Sequence, residues 1–254
     1  MELRILGCSG GIGQELRTTT LLVNNNILID AGTGLGDLSL DEMKSIQHVF
    51  ITHSHLDHIG GLPLMIDSIF DHIKTPITIH AQQETIKAFQ QHLFNNVIWP
   101  DFSLLPSQDK PVLRFEPMLA GSTYKIDGLT IEMVKVRHVV PAVGYIVEGP
   151  GGVFAFSGDT STNDGFWAAL NRYEKLDVLI VEAAFTNQDK LLSQKAGHYC
   201  PESLGEDIKK LNHKPKIYLS HHKPGSEKII FEQCQQEITD QTIESLRGGQ
   251  RFQL

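Results

Sequence analysis

The chain has 254 residues, 41% of them hydrophobic, and a formal net charge of -8. That is enough for one large core, so a single domain of α/β type over 1–254 is expected; the acidic balance argues against a nucleic-acid partner, which needs a basic track. Three widely spaced cysteines, Cys8, Cys200 and Cys234, contain no CxxC pair, which speaks against a disulfide framework or a thiolate zinc site and suits a reducing, cytoplasmic setting.

In chain order, residues 2–6 read as a first strand. No basic segment leads into a long apolar stretch there, so no signal peptide is expected, and no later run approaches the length of a membrane span. Strands over 19–23 and 26–30 are turned by Asn24-Asn25-Asn26, since asparagine tolerates the positive φ such turns need. The pattern then predicts a strand over 47–51, a helix over 59–71, a strand over 76–80 and a helix over 82–94. A loop rich in Pro, Asp and Ser runs from Trp99 to Lys110 and is expected to cover part of a site. Strands are predicted over 129–136, 142–148, 152–157, 177–182 and 216–220, with helices over 164–174, 201–211 and 240–247. Pro201 suits a first helical turn, where no amide donor is needed.

The polar residues fall at informative places on this map. Asp30, His53, Asp159, Glu182 and His221 each follow the C-terminal end of an apolar strand. Side chains there can meet at one edge of a sheet, where open α/β folds bind ligands. The densest cluster is His53-Ser54-His55-Leu56-Asp57-His58, directly after Val49-Phe50-Ile51. Three imidazoles and a carboxylate in six positions are more ligands than a packed core can use, because unpaired buried imidazoles are costly. His53 and His55 can grip one cation, and Asp57 and His58 a second. His138 can complete the first set, His221 the second, and Asp159, after Gly158, can bridge the two. Such nitrogen and oxygen donors suit two divalent ions, zinc above all, with manganese or iron as alternatives. Each ion keeps a position for a shared hydroxide. Asp30 is expected to orient a ligand imidazole rather than to be a ligand. Cys8 is expected to be a small buried residue near the site. His48, His72, His80, His92 and His213 show no clustering and read as ordinary histidines.

These motifs and their order resemble the metallo-β-lactamase superfamily over nearly the whole chain: Gly7-Cys8-Ser9-Gly10-Gly11, Asp30 in LIDAG, THSHLDHIGGLP, His138, SGDT, and the late histidine in LSHHKPG. The resemblance implies an αββα sandwich of two mixed sheets flanked by helices, with metals at one edge. It also selects His221 over the adjacent His222 as the ligand. Within the superfamily, SGDTSTND, VEAAF and GHYCPESL look most like the class II 3′,5′-cyclic-nucleotide phosphodiesterases. The tRNA 3′-processing endonucleases share the Glu and the later Gly-His, but usually carry a flexible basic or Gly/Pro-rich arm with no clear equivalent here. The resemblance thus implies hydrolysis of cAMP or cGMP to the 5′-monophosphate by metal-bound hydroxide, with catalytic roles for Asp57, His198 and Glu182. His198 would donate a proton to the leaving oxygen and Glu182 would hold its imidazole; the plain alternative is a structural hydrogen bond at a strand end. Lys223 stands between contact with phosphate and exposure to solvent. The expected partner is a small cyclic nucleotide, without a membrane, and a homodimer is compatible with the reading. An endonuclease or broad phosphodiesterase is the rival within hydrolases. A non-catalytic, metal-dependent nucleotide-binding protein is the rival outside them, though the complete ligand set speaks against it.

Overall fold

In a computed structural model, which describes residues 1–254, the chain builds two seven-stranded mixed sheets, the first from its N-terminal half completed by the last strand of the chain and the second from the rest of its C-terminal half. The first half supplies β1 (Glu2–Gly7), β2 (Thr20–Val23), β3 (Ile27–Ile29), β4 (His48–Phe50), β5 (Ile77–Ala81), the short hairpin β6 (Pro106–Ser107) and β7 (Lys110–Pro111), and β8 (Leu113–Pro117). The second supplies β9 (Thr123–Ile126), β10 (Leu129–Val136), β11 (Ala142–Glu148), β12 (Val153–Phe156), β13 (Val178–Glu182), β14 (Lys216–Ser220), β15 (Ile243–Ser245) and β16 (Arg251–Gln253). Strand order is β16-β1-β2-β3-β4-β5-β8 in one sheet and β15-β14-β13-β12-β11-β10-β9 in the other. The run β3-β4-β5-β8 is parallel, as is β12-β13-β14-β15. Parallel strands covered on both faces explain continuous apolar runs such as Val178-Leu179-Ile180-Val181, all buried.

Three apolar layers follow from the alternation of side chains along these strands. Between the sheets, Ile5, Ile29 and Phe50 meet Met133, Tyr145 and Ile180. On the outer face of the first sheet, Val49 and Ile79 pack with Met65, Ile66 and Phe89 from α3 (Leu62–Ile69) and α4 (Gln83–His92). On the outer face of the second, Leu179 and Ile217 pack with Trp167, Leu204 and Ile230 from α5 (Gly165–Leu170), α7 (Pro201–Ile208) and α8 (Glu227–Glu237). The result is the αββα sandwich. The remaining helices are α1 (Leu40–Ser45), started by a Ser39/Glu42 capping box, α2 (Leu56–Ile59), and α6 (Lys190–Ala196).

The structure corrects several boundaries. The segment 240–247, expected to be helical, contributes strand β15, whose Ile243 pairs with Ile217; the helix lies earlier, at α8. An open edge beside β14 rewards an extended Thr242-Ile243 more than helix propensity does. The helix over 59–71 is broken into α2 and α3 at Gly60-Gly61, because Gly61 packs directly on the backbone of Gly32 and donates its N–H to Ala31 O at 2.8 Å. The Asn24 turn forms as expected, with Asn24 at φ +51°. The loop around Trp99–Lys110, expected to cover part of a site, folds instead onto the first helical layer. Phe102 packs at a tilt beside Phe70 and Phe94, and the loop's hydrogen bonds reach none of the clustered histidines.

Candidate metal centre

The two parallel runs bring their C-terminal ends to one edge of the sandwich. Asp30 follows β3, His53 follows β4, Asp159 follows β12, Glu182 closes β13 and His221 follows β14. His138 arrives from the end of β10. The backbone is unusual at these strand ends: Asp30 has φ +58°, Gly158 φ +58° and His221 φ +61°. Left-handed residues of this kind cost free energy and persist where the surroundings hold them, often at functional sites. At Gly158 a Cβ would lie 2.7 Å from Val143 O, so glycine lets Asp159 enter the gap between the sheets.

The side chains converge in three overlapping groups, each with its ligand atoms within 4.8 Å of one another: His53, His55, His138 and Asp159; Asp57, His58, Asp159 and His221; and Asp159, Glu182 and His198. Asp159 belongs to all three. Its Oδ2 lies 3.6 Å from His53 Nε2, 3.3 Å from His58 Nε2 and 3.3 Å from His221 Nε2. Asp57 Oδ2 lies 3.2 Å from His221 Nε2, and His138 Nε2 lies 3.2 Å from His55 Nδ1.

Neighbouring groups fix which ring nitrogens face inward. Asp30 accepts from Thr52 N and from Thr52 Oγ1, both at 2.8 Å, and from His58 Nδ1 at 2.7 Å. Because the Thr52 hydroxyl proton is committed to Asp30, His53 Nδ1–H donates to Thr52 Oγ1 at 3.0 Å. His138 Nδ1–H donates to Gly197 O at 2.8 Å. The Nε2 atoms of His53, His58 and His138 therefore point inward. Orientation of ligand imidazoles by a carboxylate, hydroxyl or carbonyl behind them is the usual support of a metal site. Asp30 is placed as expected; Thr52 and the Gly197 carbonyl are additions whose sequence signals, adjacency to His53 and to His198, were too common to single out.

The electrostatics agree with a site for cations. Burial, reinforced by the charge of His58, holds His53 well below its ordinary value, and burial likewise lowers His55 and His138. Burial opposes charge on His58, yet Asp159 and Asp30 outweigh it and raise that imidazole well above its usual range. Burial pushes Asp159 up, but His221, His58 and His53 outweigh it and hold the carboxyl far down. Meanwhile His53 Nε2 and Asp159 Oδ1 are buried without a hydrogen-bond partner. Buried acceptors left without a donor are costly unless a cation serves them. The residues present fit divalent metal.

The third group is a dyad. His198 Nδ1–H donates to Glu182 Oε1 at 2.7 Å. Glu182 also accepts from Thr160 N at 2.9 Å, Ala184 N at 3.1 Å and Tyr199 N at 3.3 Å, so backbone amides lock the carboxylate. Burial works against a charged His198, but Glu182 outweighs it and raises the imidazole. Gly197, at φ +72°, ends α6 and delivers His198 to the centre; a Cβ there would lie 2.9 Å from Val139 N.

Other residues settle differently. His222 donates through Nδ1 to Ala183 O at 2.8 Å and joins no ligand group. The left-handed turn at His221, rather than strand alternation, separates the two. Cys8 is half-buried, its thiol pushed up to about 11 by burial, and its carbonyl accepts from His221 N at 2.7 Å. His48 and His80, expected to stand apart, form a pair: Nδ1 and Nε2 lie 2.9 Å apart beneath Tyr124. Adjacent parallel strands β4 and β5 bring them together.

Comparison with known proteins gives a family and a fold. The β-lactamase superfamily domain matches residues 25–222. A probable 3′,5′-cyclic-nucleotide phosphodiesterase of Yersinia pestis is 26% identical over 92% of this chain and 83% of its own length. Ribonuclease Z of Staphylococcus aureus is 30% identical, over 59% of this chain and 50% of that enzyme. The structure of unliganded yeast PDE1 superposes with a TM-score of 0.80 at 20% identity, covering 98% of both chains.

Proposed function

The chain belongs to the metallo-β-lactamase superfamily, and on that premise we propose that it is a metal-dependent phosphodiesterase that hydrolyses 3′,5′-cyclic nucleotides, cAMP or cGMP, to 5′-monophosphates. Two divalent ions, zinc by donor chemistry with manganese or iron as alternatives, would be held by His53, His55 and His138 and by Asp57, His58 and His221, with Asp159 shared. When bound, they would supply an activated water and neutralise charge on the phosphoryl oxygens.

The observation that carries the reading is the Glu182–His198 dyad beside the ligand cluster. A locked carboxylate that favours the protonated form of a neighbouring imidazole makes a proton donor. A proton donor matters most when the leaving oxygen is a poor leaving group, as the ribose 3′-oxygen of a cyclic nucleotide is. His198 protonates that oxygen; Glu182 holds the ring and balances its charge. The Yersinia pestis relative supports the substrate class, and a chain of charge -8 suits a small anion better than a long one.

The test compares leaving groups. His198→Ala should retain its metals and lose roughly 10²–10⁴ in turnover of cAMP, the usual contribution of a positioned acid. The loss should shrink for bis(p-nitrophenyl) phosphate, whose nitrophenolate departs unaided. Equal losses on both substrates would remove His198 from proton transfer, and release of a 3′-monophosphate would mean that the other ester bond is cut. The match to ribonuclease Z favours a second reading, a tRNA 3′-processing endonuclease; efficient cleavage of precursor tRNA with no turnover of cyclic nucleotides would select it.

A further inference from the structure

We propose that Lys223 is a substrate-binding residue of this centre, taking an anionic phosphoryl oxygen beside His198. The proposal rests on the phosphodiester reading of the site, but not on the nucleotide being cyclic.

Lys223 follows the metal-binding His221 by two residues, and the chain there is firmly tied. Its backbone N–H donates to Ala184 O at 3.2 Å, two residues past Glu182. Its ammonium donates to Gly10 O at 3.1 Å and lies 5.8 Å from the centre of the Phe185 ring. The Phe185 ring in turn lies 5.6 Å from the His198 ring. Gly10 packs directly on the backbone and ring of His221. The ammonium is thus strapped between the Gly-rich turn and the dyad, on the edge that carries the ligand cluster.

What the ammonium lacks is an anion. Lys223 takes part in none of the molecule's ion pairs, although the chain is acidic and the side chain is half-buried. The nearby carboxylate, Glu182, is already committed to His198 and three amides. An ammonium has three N–H donors, and Gly10 O uses one. The ring face of Phe185 holds the charge in place without neutralising it. A half-buried cation fixed by a carbonyl and an aromatic face, with two donors to spare, is chemically suited to a phosphate oxygen, for which lysine acts as a point charge. The plain alternative is that Lys223 only ties the Gly-rich turn to the end of β14.

Inorganic phosphate separates the two, because its binding can be read by calorimetry on the zinc-loaded protein without turnover. Lys223→Met keeps the aliphatic stem over Phe185 and removes the charge. It should retain both metals and weaken phosphate binding by about tenfold or more, the scale of one charge-assisted hydrogen bond. Lys223→Arg should recover most of that affinity, and kcat/KM should fall in parallel for every phosphodiester that the wild type hydrolyses. Phosphate affinity within twofold of wild type in Lys223→Met would overturn the proposal, as would an arginine variant that binds phosphate no better than the methionine one. Should Lys223→Met fail to fold, Lys223→Gln against Lys223→Arg gives the same comparison. A wild type that ignores both cAMP and cGMP while phosphate binding still depends on Lys223 would remove the cyclic-nucleotide reading and leave this inference standing.

Discussion

Asp159 and Asp30 show how two buried carboxylates on neighbouring strand ends take different work. Asp159 faces three imidazole Nε2 atoms and keeps one oxygen without a partner; Asp30 spends both oxygens on Thr52 and His58. Asp159→Ala should therefore deplete both metal sites, and metal analysis after dialysis should find well below the roughly two ions per chain that complete donor sets would hold. A variant that still holds one ion tightly would contradict a shared ligand. Asp30→Asn should leave every ligand present but loosen the hold on His58, lowering affinity by roughly 10–100-fold, as loss of an orienting carboxylate does. Chelator competition measures it; unchanged affinity would mean that Asp30 serves folding alone. The six-residue cluster 53–58 announces ligands in the sequence because so many imidazoles have no other use. Thr52 and the Gly197 carbonyl do not, because a hydroxyl or a carbonyl acquires its role only from what folding places against it.

Strand ends, more than helices, position this centre. β12 delivers Asp159 through Gly158, whose φ of +58° and closeness to Val143 O leave no room for a Cβ. Gly158→Ala should cost about 2–4 kcal/mol of stability, combining strain at positive φ with a steric clash. It should also reduce metal content, because Asp159 moves with the turn. Thermal unfolding with and without added zinc checks both effects; a variant as stable and as metal-rich as the parent would show that the turn tolerates a side chain. The elements that the sequence shows well are those whose pattern is local: the Asn24 hairpin, α7 opening at Pro201, and the apolar run Val178-Leu179-Ile180-Val181 of β13. The segment 240–247 carries no local strand signal because its extended form depends on an edge of β14 that lies far away in sequence.

Across the whole molecule the two sheets meet over one imidazole that burial keeps from taking up charge. His80, on the first sheet, is buried between Phe50 and Tyr124 of the second, with ring centres 4.3 Å away on each side. Burial, and next the charge of His48, lowers its pKa to about 3. The unfolded chain takes up this proton near the ordinary value of about 6.5. Between these two values the unfolded state binds more protons, so stability rises with pH. The contribution is complete above about pH 6.5 and is lost progressively as pH falls towards 3. At pH 5 the loss from this one group is about 2 kcal/mol. His80→Gln should flatten the stability curve between pH 7 and pH 5 by that amount, read from denaturant unfolding at each pH. Parallel curves for the two proteins would show that His80 is not the titrating group.

The sequence by itself determined the α/β class, most strands, and the candidate ligands His53, His55, Asp57, His58, His138, Asp159 and His221. Apolar periodicity and a density of imidazole and carboxylate that no other role accounts for carried those readings, except that the family resemblance was needed to choose His221 over His222. The tertiary structure alone decided which residues share a centre, which ring nitrogens face it, and that Glu182 is pinned by three amides so as to hold His198. It also joined His48 to His80 and set Lys223 against Gly10 and Phe185. Each of these depends on contacts between segments distant in the chain, and no local pattern of residues records such a contact.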